Sequence, residues 1–188
     1  MKKDQEEIIT FHKHILRHNL DEYFKLGINS RGAILAVNAM KILEEPLWKI
    51  PEANGKTNQR FISEGVKKVR DILDANDIHN RKDAKSIWTK VQITKALKRF
   101  PRKMPSPNLD YYKVQLEHVV EKRIIIDLLL NDRANHDDII DQYNVGCSVL
   151  KEEHDNLPAG IFDPNDVWAR YSSAGIRVWD RADKKYVV

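Results

Sequence analysis

His136–Asp155, HDDIIDQYNVGCSVLKEEHD, is the stretch on which the fold turns. Its pattern allows a short helix, a break at Asn144-Val145 and a second helix over Ser148–Asn156. Ile139, Ile140 and Tyr143 would face inward from the first helix, and Val149 and Leu150 from the second. Asn144 would hold the turn, because asparagine is the natural substitute for glycine where φ is positive. The same residues also suggest chemistry, through the aspartates of DDIID and the pair His136-Asp137.

Upstream, LDYYKVQLEHVVEKRIIIDLLLND (Leu109–Asp132) reads as one long helix, apolar nearly all round over IIIDLLL. Downstream, Val167–Tyr171 and Ile176–Trp179 flank the turn-like SSAG and read as a β-hairpin. The order helix, helix, helix, hairpin over about Leu109–Val188 resembles the winged helix-turn-helix superfamily. That resemblance implies a winged-helix-like domain, placed at 108–188.

DDIID resembles the first aspartate-rich motif of the isoprenoid synthases. The resemblance implies that Asp137, Asp138 and Asp141 share magnesium with a substrate diphosphate. The family's basic clamp is missing, since Asn144-Val145-Gly146-Cys147 follows, and only 47 residues remain after Asp141 for its second motif. His136-Asp137 resembles the metal pair of the HD phosphohydrolases, with His118 and Asp155, Asp163 or Asp166 as nominal outer ligands. Nothing in the sequence around those outer residues extends the match.

In the N-terminal half, Asp4–Lys25 predicts a helix with Ile8, Ile9, Phe11, Ile15, Leu16, Leu20 and Tyr23 on one face. His12 and Asn19 fall in the middle of that face and call for hydrogen-bond partners or a helix–helix interface. Gly27 would end this helix, and a second would run over Arg31–Glu45 until Pro46 closes it. LWKIPEANGKTNQ reads as loop, Gln59–Asp74 as a third helix and Ser86–Phe100 as a fourth. Pro101, Pro105 and Pro107 mark a linker. The expected architecture is therefore mainly α: a helical domain over 1–100, a proline-rich linker over 101–107 and the winged-helix-like domain over 108–188.

Cys147 is the single cysteine, which excludes an internal disulfide and a cysteine-rich zinc site. His14 and His18 are i, i+4 but lie on the polar side of their helix, where solvated histidines are expected. No phosphate-cradling glycine loop and no nucleophile elbow is present, and no cofactor is expected. The N-terminal MKKDQEEIITFHKH has no apolar signal core, and no apolar run reaches spanning length. An intracellular protein, cytoplasmic or nuclear and without membrane association, is the expectation.

The net charge of +4 hides a segregation. Residues 56–103 carry 14 basic and 5 acidic side chains, whereas 104–166 carry 5 and 13. Arg81, Lys82, Lys85, Lys90, Lys95, Lys98, Arg99, Arg102 and Lys103 face Asp83 alone, net +8 in 23 residues, with Trp88 and Phe100 interleaved. Such spacing suits a polyphosphate backbone. These residues, with Arg170, Arg177 and Arg181 of the expected hairpin region, are the candidate nucleic-acid contacts. Residues 136–155 are net −5, the wrong sign for a major-groove helix, so Asp137, Asp141, Glu152 and Glu153 are candidates for docking a protein partner. The leading expectation is a non-enzymatic nucleic-acid-binding accessory or regulatory subunit, DNA ahead of RNA, acting with a protein partner and compatible with oligomers. A protein-interaction adaptor comes second, and a magnesium-dependent enzyme using DDIID third.

Overall fold

The structure, a computed structural model, describes residues 3–25, 32–55, 59–74 and 114–188. In chain order these form α1 (Lys3–Lys25), α2 (Gly32–Glu52), β1 (Phe61–Ser63), α3 (Glu64–Asp74), β2 (Val114–His118) and α4 (Lys122–Asn131). A 3₁₀ turn (Arg133–Asn135) leads to α5 (His136–Tyr143), β3 (Gly146–Leu150), α6 (Lys151–Asn156), α7 (Ala169–Ser173), β4 (Val178–Asp180) and β5 (Lys185–Tyr186). The strands form one mixed sheet of order β2-β3-β1-β4-β5.

That sheet overturns the mainly α, winged-helix expectation. The second helix of the expected helix-turn-helix begins as strand: Gly146–Leu150 is β3, buried along its whole length and paired in parallel with β1. Only KEEHDN continues as helix. Asn144 is the C-cap of α5 at φ −84°, not a left-handed turn residue. The expected long helix is two elements, because VQLEH alternates buried and half-buried residues as β2 before the chain turns into α4. The expected hairpin of Val167–Tyr171 with Ile176–Trp179 does not form: Ala169–Ser173 is helical, and β4 pairs instead with β5. Gln59–Asp74 likewise opens with a strand, FIS, before α3. Ser86–Phe100 and the 101–107 linker lie outside the described residues.

The chain divides into two units that alternate along the sequence. One comprises Met1–Gly55, His118–Gly146 and Ala159–Val167; the other comprises Lys56–Glu117, Cys147–Pro158 and Trp168–Val188.

The first unit is helical. Leu16 and Leu20 of α1, Leu43, Leu47 and Ile50 of α2, Ile125, Ile126 and Leu129 of α4, and Ile139, Ile140 and Tyr143 of α5 make its core. Ile8 and Phe11, expected on the buried face, are 44% and 59% exposed. Helix α2 runs through Pro46 and Pro51, although each proline lacks the N–H that would serve the carbonyl four residues back. Those two carbonyls belong to Ile42 and Leu47. Asn19 Nδ2 donates to the Ile42 carbonyl at 3.3 Å, and His118 Nε2 lies 3.3 Å from the Leu47 carbonyl. Side chains from outside the helix thus satisfy both groups, which explains why Pro46 does not end it. His118 is buried and packs on Trp48 with ring centroids 5.0 Å apart.

His118→Leu leaves the Leu47 carbonyl without its partner and is expected to cost about 1–3 kcal/mol. Adding Pro51→Ala returns an N–H to that carbonyl, so the double variant should recover part of the loss. Urea midpoints of the four-member cycle would show it, and strict additivity would refute the assignment.

The second unit is built on the sheet. Phe61 and Ile62 register with Cys147 and Ser148 of β3 in parallel, while Phe61, Ile62 and Ser63 register with Asp180, Trp179 and Val178 of β4 in antiparallel. Val66 and Val69 of α3 are buried, and α3 lies along β1 and β4.

Candidate functional site

Three polar constructions stand out, two inside the sheet unit and one on its surface. The first joins two helix starts through one carboxylate. Glu153, in the first turn of α6, accepts the backbone N–H of Leu150 at 2.8 Å. It also accepts the N–H of Gly65 at 3.1 Å and the hydroxyl of Ser63, both at the start of α3. Ser63 Oγ in turn accepts the N–H of Val66 at 3.2 Å, an N-cap for α3. Orphan N–H groups and the helix dipoles make both helix starts hospitable to an anion. Burial nevertheless prevails and raises the Glu153 carboxyl above its ordinary value, against the three hydrogen bonds that lower it.

The second construction is an ion pair under the sheet. Arg170 is 8% exposed; its Nη1 donates to Glu117 Oε1 at 2.8 Å and its Nε to the Pro158 carbonyl at 2.7 Å. Glu117 Oε2 lies 2.7 Å from His154 Nδ1. Nearby, the Cys147 thiol and the Tyr171 hydroxyl are buried against each other, and desolvation raises both well above their ordinary values. A thiol so enclosed is not a nucleophile.

The third construction is a row of cations and rings at the β4–β5 margin. Lys67 Nζ lies 5.0 Å from the centre of the Trp179 ring. Trp179 meets Tyr186, its partner across the strands, edge to face at 5.0 Å. The Arg177 guanidinium lies 3.8 Å from the centre of the Tyr186 ring. Both rings are half-buried, while Arg177 remains 55% exposed. Such cation–ring contacts contribute about 0.5–1 kcal/mol each at exposed sites. Lys68, Lys184 and Lys185 are exposed in the same unit. Arg60 grips Asp180 through two nitrogens, at 2.7 and 3.0 Å, and so holds that carboxyl below its ordinary value.

The sequence-derived candidates distribute unevenly over these features. Arg177 belongs to the row. Arg181 donates from Nη1 to the Gln59 carbonyl at 3.0 Å. Arg170 and Glu153 are enclosed, because their charges satisfy Glu117 and two helix starts, so neither is carried forward as a surface contact. Glu152 is exposed on α6. The basic residues Arg81–Lys103 lie outside the described residues.

In the helical unit, Asp137 accepts Arg17 Nη2 at 2.7 Å and Asp141 pairs with Lys13. Two of the three DDIID carboxylates therefore meet cations of α1. The neighbouring cleft, ≈ 270 Å³, mixes Arg17, Asp21, His136, Asp137 and Asp138. Among the described residues, no three His, Cys, Asp or Glu side chains are grouped so that they could hold a metal ion. No described helix is long and apolar enough to cross a membrane.

The chain matches no family model, no curated protein and no solved structure.

Reading by sequence alone missed Trp179, Tyr186 and Lys67 as one surface. Alternation in RVWD was a usable signal for Trp179, but Tyr186 joins it only through β4–β5 pairing, and Lys67 only through the packing of α3.

Proposed function

We propose that this chain is a non-enzymatic nucleic-acid-binding protein that works through its sheet unit. The observation that carries the reading is how charge sorts between the units. The sequence segments of the sheet unit hold 21 basic and 12 acidic side chains, net +9, and those of the helical unit hold 11 and 16, net −5. A separation of this size is an argument about partners, because a basic body concentrates polyanions around itself. The dense run Arg81–Lys103 belongs to the basic segments by sequence, as does the cation–ring row. Phosphate contacts of this kind release counterions, so the affinity should depend steeply on salt.

Charge reversal at three positions tests the reading. Lys95→Glu, Lys98→Glu and Arg99→Glu together remove three phosphate contacts. The slope of log Kd against log salt should fall by about 2 for a single strand, and the affinity at low salt by at least tenfold. An unchanged slope and affinity would remove this segment from the interface.

A further inference from the structure

Resting on that reading, we infer that the Lys67–Trp179–Tyr186–Arg177 row receives unpaired bases, so that the ligand is single-stranded nucleic acid. The row is poorly made as a phosphate clamp. Lys67 is paired with Asp71 at 2.7 Å, and Arg177 lies 4.0 Å from Glu64, so part of its charge is already matched. Its distinctive property is flat π surface. Two rings on paired strands sit 5.0 Å apart, and a guanidinium lies over one of them at 3.8 Å with more than half of its side chain open to solvent. A base can stack on the outer face of that guanidinium or take its place on Tyr186, and either mode needs a base face out of the helix stack. A duplex keeps those faces covered. Lys68 and Lys185 are likewise shared with Glu64 and Asp183, each at 3.4 Å, so flanking phosphates would draw on the net positive charge of the unit rather than on this row.

The rest of the unit points the same way. The residues that would have supplied a major-groove helix form β3, buried along its whole length, and the helix that follows it is six residues of KEEHDN. That helix carries the wrong charge to lie among phosphates.

The test uses the full chain with labelled oligonucleotides of about 20 nucleotides, longer than one stacking site. Oligo(dT), oligo(U) and a duplex DNA are compared by fluorescence anisotropy at low salt. The two single strands distinguish DNA from RNA as the source of the bases. Single strands should bind on the order of tenfold tighter than duplex. Trp179→Ala and Arg177→Gln should each weaken single-strand binding by roughly five- to tenfold and leave duplex binding nearly unchanged. Tyr186→Phe keeps the ring and should keep the affinity, which separates stacking from any loss of fold. Duplex binding as tight as single strands, or single-strand binding indifferent to Arg177→Gln in a chain of unchanged circular dichroism, overturns the inference while the nucleic-acid reading stands. Failure of all three probes to bind overturns both.

Discussion

Arg170→Met is expected to cost about 3–5 kcal/mol of folding stability. The side chain is 9% exposed and its partner Glu117 14% exposed, so solvent cannot take over the lost contacts. Removing the guanidinium leaves the Pro158 carbonyl without its donor and Glu117 with His154 as its remaining partner. A carboxylate without its main counter-charge in such a place is the expensive outcome, more than the loss of attraction itself. The double variant Arg170→Met, Glu117→Met removes both charges and should recover most of the stability. Urea unfolding of the four chains measures this directly. A single-variant loss below about 1 kcal/mol would mean that the pair is solvated.

Gly65→Ala is expected to be the next most damaging change. A Cβ at this position would lie 2.6 Å from Glu153 Oε1 and 2.8 Å from Leu150 Cδ1, closer than real contacts allow. Glu153 would have to withdraw, exposing the mismatch it now resolves: the N–H groups of Gly65 and Leu150 and the hydroxyl of Ser63 lose their acceptor. Overpacking costs about 1–3 kcal/mol, and unpaired buried donors add a comparable amount. In a Glu153→Ala background the donors are already unserved and only the approach to Leu150 Cδ1 remains, so Gly65→Ala should then cost less. Equal costs in both backgrounds would contradict the shared site.

How far the sequence could be read depends on how local each signal is. Helix α1 is predicted within a residue of its observed start, because a 23-residue amphipathic repeat needs no help from the rest of the chain. The apolar run IIIDLLL reads as helix, and it does lie in α4, which buries Ile125, Ile126 and Leu129. The sequence alone ends α2 at Pro46, because the cost of a mid-helix proline is local, whereas its remedies, Asn19 and His118, are far away in sequence. Strand β3 was hidden for a similar reason. GCSVL has no alternation, being buried on both faces, and its parallel partner is FIS on the far side of the chain's basic half. By contrast, VQLEH alternates, a readable period-2 signal that the apolar helix following it masks. The charge segregation was visible from the start. What the fold adds is that it sorts that charge between two bodies and sets two aromatic rings beside the basic side chains.

The most direct test of nucleic-acid binding is a salt titration of the purified chain with single-stranded DNA, single-stranded RNA and duplex DNA, from about 50 to 200 mM monovalent salt. Binding through the basic unit predicts complexes at the low end and a loss of affinity of at least tenfold across the range. Absence of any complex at low salt, or an affinity that ignores salt, would contradict it.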